Sequence, residues 1–126
     1  MAKTTPLDQF GAFVMEKLRD PGIDHFDGLL AKRWKAPALK KLQRELGALT
    51  NARKAVVRQA FVESMDEAIH AFLFALAEES ESGGAVRVRV RGKDVASLSD
   101  GLQGELFTEE GWFARFSAHG EPVENS

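Results

Sequence analysis

The sequence predicts an α+β domain: about four N-terminal helices, the fourth long and central, packed on a small C-terminal antiparallel sheet of about three strands. Three observations predict this. Apolar residues recur at helical spacing through the first 80 residues. A strictly alternating run, Val86 to Arg91, follows the Gly83-Gly84 break. The chain has 126 residues, 44% of them hydrophobic, which suffices for one core and scarcely for two. A single domain is therefore expected over 1–126, with a helical part at 1–80, a strand-rich part at 84–117 and a frayed tail at 118–126.

The first helix opens at Thr5-Pro6-Leu7-Asp8, where Thr5 can cap and Pro6 suits the first turn. Leu7, Phe10, Val14 and Leu18 continue it, and Asp20-Pro21-Gly22 is expected to end it. A short second helix carries Phe26, Leu29, Leu30 and Trp34. Pro37 opens a third, with Leu39, Leu42 and Leu46 on one stripe and Gly47 as its stop. Thr50 caps the fourth, from about Asn51 to Glu79. One face of it is apolar, with Val57, Phe61, Met65, Ala68, Phe72 and Leu76. From Ala71 to Ala77 it is apolar all round, so its second half is expected to be buried on every side.

Strands are expected at Val86–Arg91, at Val95–Leu98 after a Gly92-Lys93 turn, and at Trp112–Phe116, with Trp112, Ala114 and Phe116 on one face. His70 to Leu76, Ser99 to Leu102 and Glu109 to Ser117 resemble segments of small bacterial proteins with no assigned function. That resemblance implies no activity, cofactor or partner.

Several function classes are excluded or unsupported. The absence of Cys excludes disulfides, thiolate zinc sites and Cys nucleophiles. No Gly-x-Ser-x-Gly elbow or Gly-rich phosphate loop occurs, and no base is legible for Ser97, Ser99 or Ser117. No cofactor is expected. The first residues lack an apolar leader, and the longest apolar run is far short of a membrane span, so a cytoplasmic protein is expected.

Charge is the strongest signal. The net charge is only −2, yet Lys32, Arg33, Lys35, Lys40, Lys41, Arg44, Arg53, Lys54 and Arg58 face one acid, Glu45, in the same stretch, a local +8. The remaining residues sum to −10. Such polarity points to an interaction protein (an adaptor, an inhibitor or an immunity-like protein) with a protein partner and no catalysis. The alternative is nucleic-acid or polyanion binding through residues 32–58, with Trp34 as a stacking ring. Arg87, Arg89 and Arg91 on one strand face can serve the same end. Two polarised surfaces also allow a homodimer.

A third reading is a metal-assisted or acid–base enzyme. Glu63, Asp66, Glu67 and His70 share a helix face, and Glu67-Ala68-Ile69-His70 has the Glu-x-x-His spacing of di-metal bundles. There Glu63, Glu67 and His70 are the metal candidates, and His70, Asp66 and Glu67 the acid–base candidates. Only one copy of the motif is present, and His25 and His119 bear no supporting spacing to it.

Overall fold

The computed structural model describes residues 5–120. It is mostly helical, with a long central helix and one two-stranded antiparallel sheet. Thr5 caps α1 (Pro6–Val14) by accepting a bond from the Asp8 amide. The chain then does not stop at Asp20-Pro21-Gly22. A π turn, Met15–Arg19, joins α1 directly to α2 (Asp20–Leu30). The wider turn closes with the Asp20 amide bonded to the Met15 carbonyl. It restarts the helix so that Pro21 falls in a first turn, where its missing N–H leaves no broken bond. Gly22 is likewise no turn residue. A Cβ there would overlap the Met65 methyl, so this glycine lets α2 approach the long helix closely.

α2 ends with Lys32 in the left-handed region (φ 56°) and the Arg33 amide bonded back to the Gly28 carbonyl at 2.9 Å. Trp34 lies beyond the helix, its ring over Gly28. α3 (Pro37–Gly47) begins and ends as expected, but its leucine stripe is not its anchor. Leu42 is 43% exposed, and the buried residue is Gln43. Its Nε2 donates to the carbonyls of Trp34 and Leu39, and its Oε1 accepts from the Trp34 amide.

α4 runs from Asn51 to Ser82, capped by Thr50 and closed by Gly83 at φ 78°. At 1.5 Å per residue it is about 48 Å long. α1 and α2 lie antiparallel along it: Phe10, Val14 and Leu18 line a groove with Ile69 and Leu73, and Phe26 stacks on Phe61 at 4.8 Å. The second half of α4 is not buried on all sides. Ile69, Leu73 and Leu76 point inward, while Phe72 is 55% exposed and Phe74 45%. The C-terminal layer is small and covers one side only, so an all-apolar helix keeps an apolar outer face.

The strands are shorter than expected. β1 (Arg89–Val90) pairs with β2 (Lys93–Asp94), Arg89 opposite Asp94 and Val90 opposite Lys93. The turn is Arg91-Gly92, one residue earlier than Gly92-Lys93. Both residues have positive φ, 53° and 82°, the pattern of a type I′ hairpin. Val95–Leu98 forms a 3₁₀ turn, and so does Leu102–Leu106.

The third strand is absent among the described residues; Trp112–Phe116 is a short helix, α5. Its buried residues are Trp112, Phe113 and Phe116, whereas Ala114 is exposed. That pattern follows a helical turn and contradicts the alternation that suggested a strand. Trp112 is fully buried, packs edge-on against Phe10, and lies over Gly11, which has no Cβ to block it. With Met15, Leu73, Val95, Leu102 and Leu106 these side chains make the core. The expected tail is tied down at Ala118 and His119, and residues 121–126 lie outside the described part.

Candidate functional site

The basic stretch folds into one peripheral region made of the turn after α2, α3 and the first turns of α4. Lys32, Arg33, Lys35, Lys40 and Arg44 are exposed, as are Lys41 and Arg53. Among the described residues only two of the nine cations form ion pairs. Lys41 meets Glu45 at 3.9 Å in an exposed i,i+4 contact worth little. Arg58 meets Asp27 in a two-pronged pair, Nε to Oδ1 at 2.7 Å and Nη2 to Oδ2 at 3.0 Å. The hydrogen bonds from Arg58 hold the Asp27 carboxyl below its ordinary value, and Asp27 raises the guanidinium in return. Lys32 extends its stem over Gly47 at the C-terminal end of α3, where a cation suits the helix dipole.

Trp34 does not offer a free ring. Its Nε1 donates to the His25 carbonyl at 2.9 Å, and its indole stacks on the His25 ring at 5.2 Å. Arg33 lies 5.7 Å from its centroid. The Gln43 clamp holds the Trp34 backbone, so α3 and its cations are positioned by hydrogen bonds more than by a core.

The arginine row divides. Arg87 turns inward, donating to the Glu79 carbonyl at 2.8 Å and meeting Asp94 at 3.2 Å. Arg89 and Arg91 remain exposed. The opposite pole is an acidic hollow of about 340 Å³ lined by Phe74, Glu78, Glu81, Asp100 and Gln103.

The four-residue cluster on α4 does not converge. Glu63 and Glu67 are exposed, and His70 is half-buried with its ring 6.0 Å from that of Phe107. Asp66 turns away to Arg19. Among the described residues no three His, Asp or Glu side chains gather in a metal-holding arrangement. An open cleft of about 510 Å³ between Arg19 of the π turn and α4 does bring together Arg58, Glu63 and Asp66, with Gln59 beside them. In that cleft Arg58 and Asp66 are already occupied by their partners.

Sequence reasoning missed the most connected polar site. Arg19 is only 2% exposed. It bonds Asp66 through Nε and Nη2, and donates from Nη1 to Ser117 Oγ and to the His119 carbonyl, each at 3.0 Å. Its guanidinium lies 4.5 Å from the centroid of the Phe113 ring. Ser117 donates in turn to Asp20, which also accepts from the Ala118 amide at 2.7 Å. His119 Nε2 meets Asp24 at 2.7 Å. Every strong acceptor here has a donor, so the cluster fastens the C-terminal segment to α2. No sequence signal pointed to it: the π turn inserts a residue and moves Arg19 onto the stripe where Leu18 was expected.

Compared with known proteins, the chain matches no family model, no curated protein and no solved structure. No helix among the described residues is long and apolar enough to cross a membrane.

Proposed function

We propose that this chain is a non-catalytic interaction protein that binds an acidic protein partner through the face of α3. One observation carries the reading. Lys35, Lys40 and Arg44, with Lys32 and Arg33 in the preceding turn, are exposed and form no ion pair among the described residues. Unpaired cations of one sign attract an oppositely charged surface over roughly a Debye length, about 8–10 Å in ordinary buffer. Exposed Leu42 lies among them and adds apolar contact suited to a protein.

Nucleic acid is the second reading, favoured by the same cations. It finds no stacking platform at Trp34, whose ring is taken up by His25 and Gly28.

Titration with polyglutamate and with a short DNA duplex at low salt tests both. The leading reading expects polyglutamate to bind, to weaken with added salt, and to be lost in Lys40→Glu/Arg44→Glu. Binding of DNA alone would transfer the assignment to the second reading, and binding of neither probe would remove both.

A further inference from the structure

We infer that the outer face of α4 is a two-fold interface on which a second copy of this chain packs antiparallel. The face is apolar where a monomer has no use for it. Phe72 stands out from α4, with Phe13 exposed on α1 and Leu18 on the π turn, across a groove of about 230 Å³ that Lys17 also borders. Beside Phe72, at 100° per residue, Ala60, Ser64, Ala68, Ala71 and Ala75 share one arc of the helix, and all are exposed. No charged residue falls within that arc between Arg53 at its basic end and Glu78 at its acidic end. Neither Arg53 nor Glu78 forms an ion pair among the described residues.

The charge pattern selects the occupant and its direction. Laid antiparallel about a two-fold axis near Met65 and Asp66, each copy's Arg53 falls opposite the other's Glu78. In the same register Val57 meets Ala75, Ala60 meets Ala71, and Ser64 meets Ala68. One sequence therefore supplies both halves of a complementary surface, as an isologous interface requires. Small residues along the seam let the helix axes approach to about 8 Å, the close end of helix packing. A parallel pair would instead set Arg53 against Arg53 and Glu78 against Glu78.

The size is sufficient. From Arg53 to Glu78 the helix is about 40 Å long and about 11 Å wide, about 440 Å² per copy. With Phe72, Phe13 and Leu18 on the flank, the two copies together bury about 1,200 Å², the lower end of stable interfaces. One feature opposes the pairing. Glu67 lies at the edge of the face close to the axis, so the two copies of Glu67 repel each other.

Sedimentation equilibrium of the full chain tests the proposal. The expected result is a dimer that Ala68→Glu converts to monomer while the far-ultraviolet circular dichroism stays unchanged. Arg53→Glu and Glu78→Lys each weaken association about tenfold, and the double variant restores it. Glu67→Gln strengthens association several-fold. A wild-type monomer at high micromolar concentration would falsify the inference. So would a dimer indifferent to Ala68→Glu, or a charge swap that fails to rescue.

Discussion

The guanidinium of Arg19 is seated on the carboxylate of Asp66, Nε 2.6 Å from Oδ1 and Nη2 3.1 Å from Oδ2, with Arg19 almost wholly inside the protein. A charge so placed is tolerated because its partner and its neutral acceptors are all present. Removing the partner alone leaves the cation stranded. Asp66→Ala is therefore expected to cost about 3–5 kcal/mol, measured by urea unfolding. Arg19→Met removes the buried charge, and should cost less despite the acceptors it leaves behind. An Asp66→Ala protein as stable as wild type would contradict this account.

Two glycines, Gly11 on α1 and Gly22 on α2, should respond differently to alanine. At Gly11 the new methyl meets the Trp112 indole, which is buried and has nowhere to go. Gly11→Ala is expected to destabilise by about 1–3 kcal/mol. At Gly22 the obstacle is the end of the flexible Met65 side chain, and the helix itself gains about 1 kcal/mol from alanine. Gly22→Ala should be close to neutral. Thermal unfolding of the two variants side by side checks the contrast.

Arg91 adopts φ 53° in the hairpin turn, a conformation that Asn tolerates better than Arg. Arg91→Asn gives the Asn-Gly pair preferred in this turn type. It should raise stability by about 0.5–1 kcal/mol, visible as a higher midpoint in urea.

Acid should weaken the Asp27–Arg58 pair in a defined direction. The folded carboxyl is held below the unfolded value of about 3.9, so between the two values the unfolded chain binds more protons. The pair contributes fully above pH ~4 and is lost as pH falls through the folded value. Both side chains are about one-third exposed, so the contribution is at most about 1 kcal/mol. The stability gap between wild type and Asp27→Asn should therefore narrow from pH 6 to pH 3. A gap that stays constant would show that the pair does not titrate this way.

Gln43 offers a local test. Its side chain holds the Trp34 amide and carbonyl at 3.0 and 2.9 Å. Gln43→Ala should speed hydrogen exchange at Trp34 and through α3 while leaving Leu73 and Leu102 protected. Uniform loss of protection would mean that α3 unfolds only with the whole domain.

The helices were legible because their signals are local. Thr5, Pro37 and Thr50 act within a turn of where they stand, and the structure uses each as its chemistry suggests, while Gly47 ends α3 without adopting a left-handed φ. The misreadings share a different cause. Asp20-Pro21-Gly22 has turn chemistry, but an added backbone residue upstream absorbs the proline, and only tertiary packing shows that Gly22 faces Met65. Trp112 to Phe116 alternates on paper, yet Phe113 is as buried as its neighbours because the core surrounds it. The charge segregation was visible in the composition of residues 32–58. The Arg19 cluster was not, since its members are separated by up to about a hundred residues and meet only in the fold.

That separation governs how the molecule comes into being. Ser117 and His119 close on Arg19 and Asp24, and Arg115 reaches Asp8 at 2.8 Å. Until residues 112–119 leave the ribosome, α1, α2 and α4 have no Trp112 to enclose, and Arg19 lacks two of its acceptors. The core and the Arg19 cluster can be completed only once that segment has been made. Truncation just before Trp112 would release a product whose Phe10 and Gly11 lack the indole that covers them.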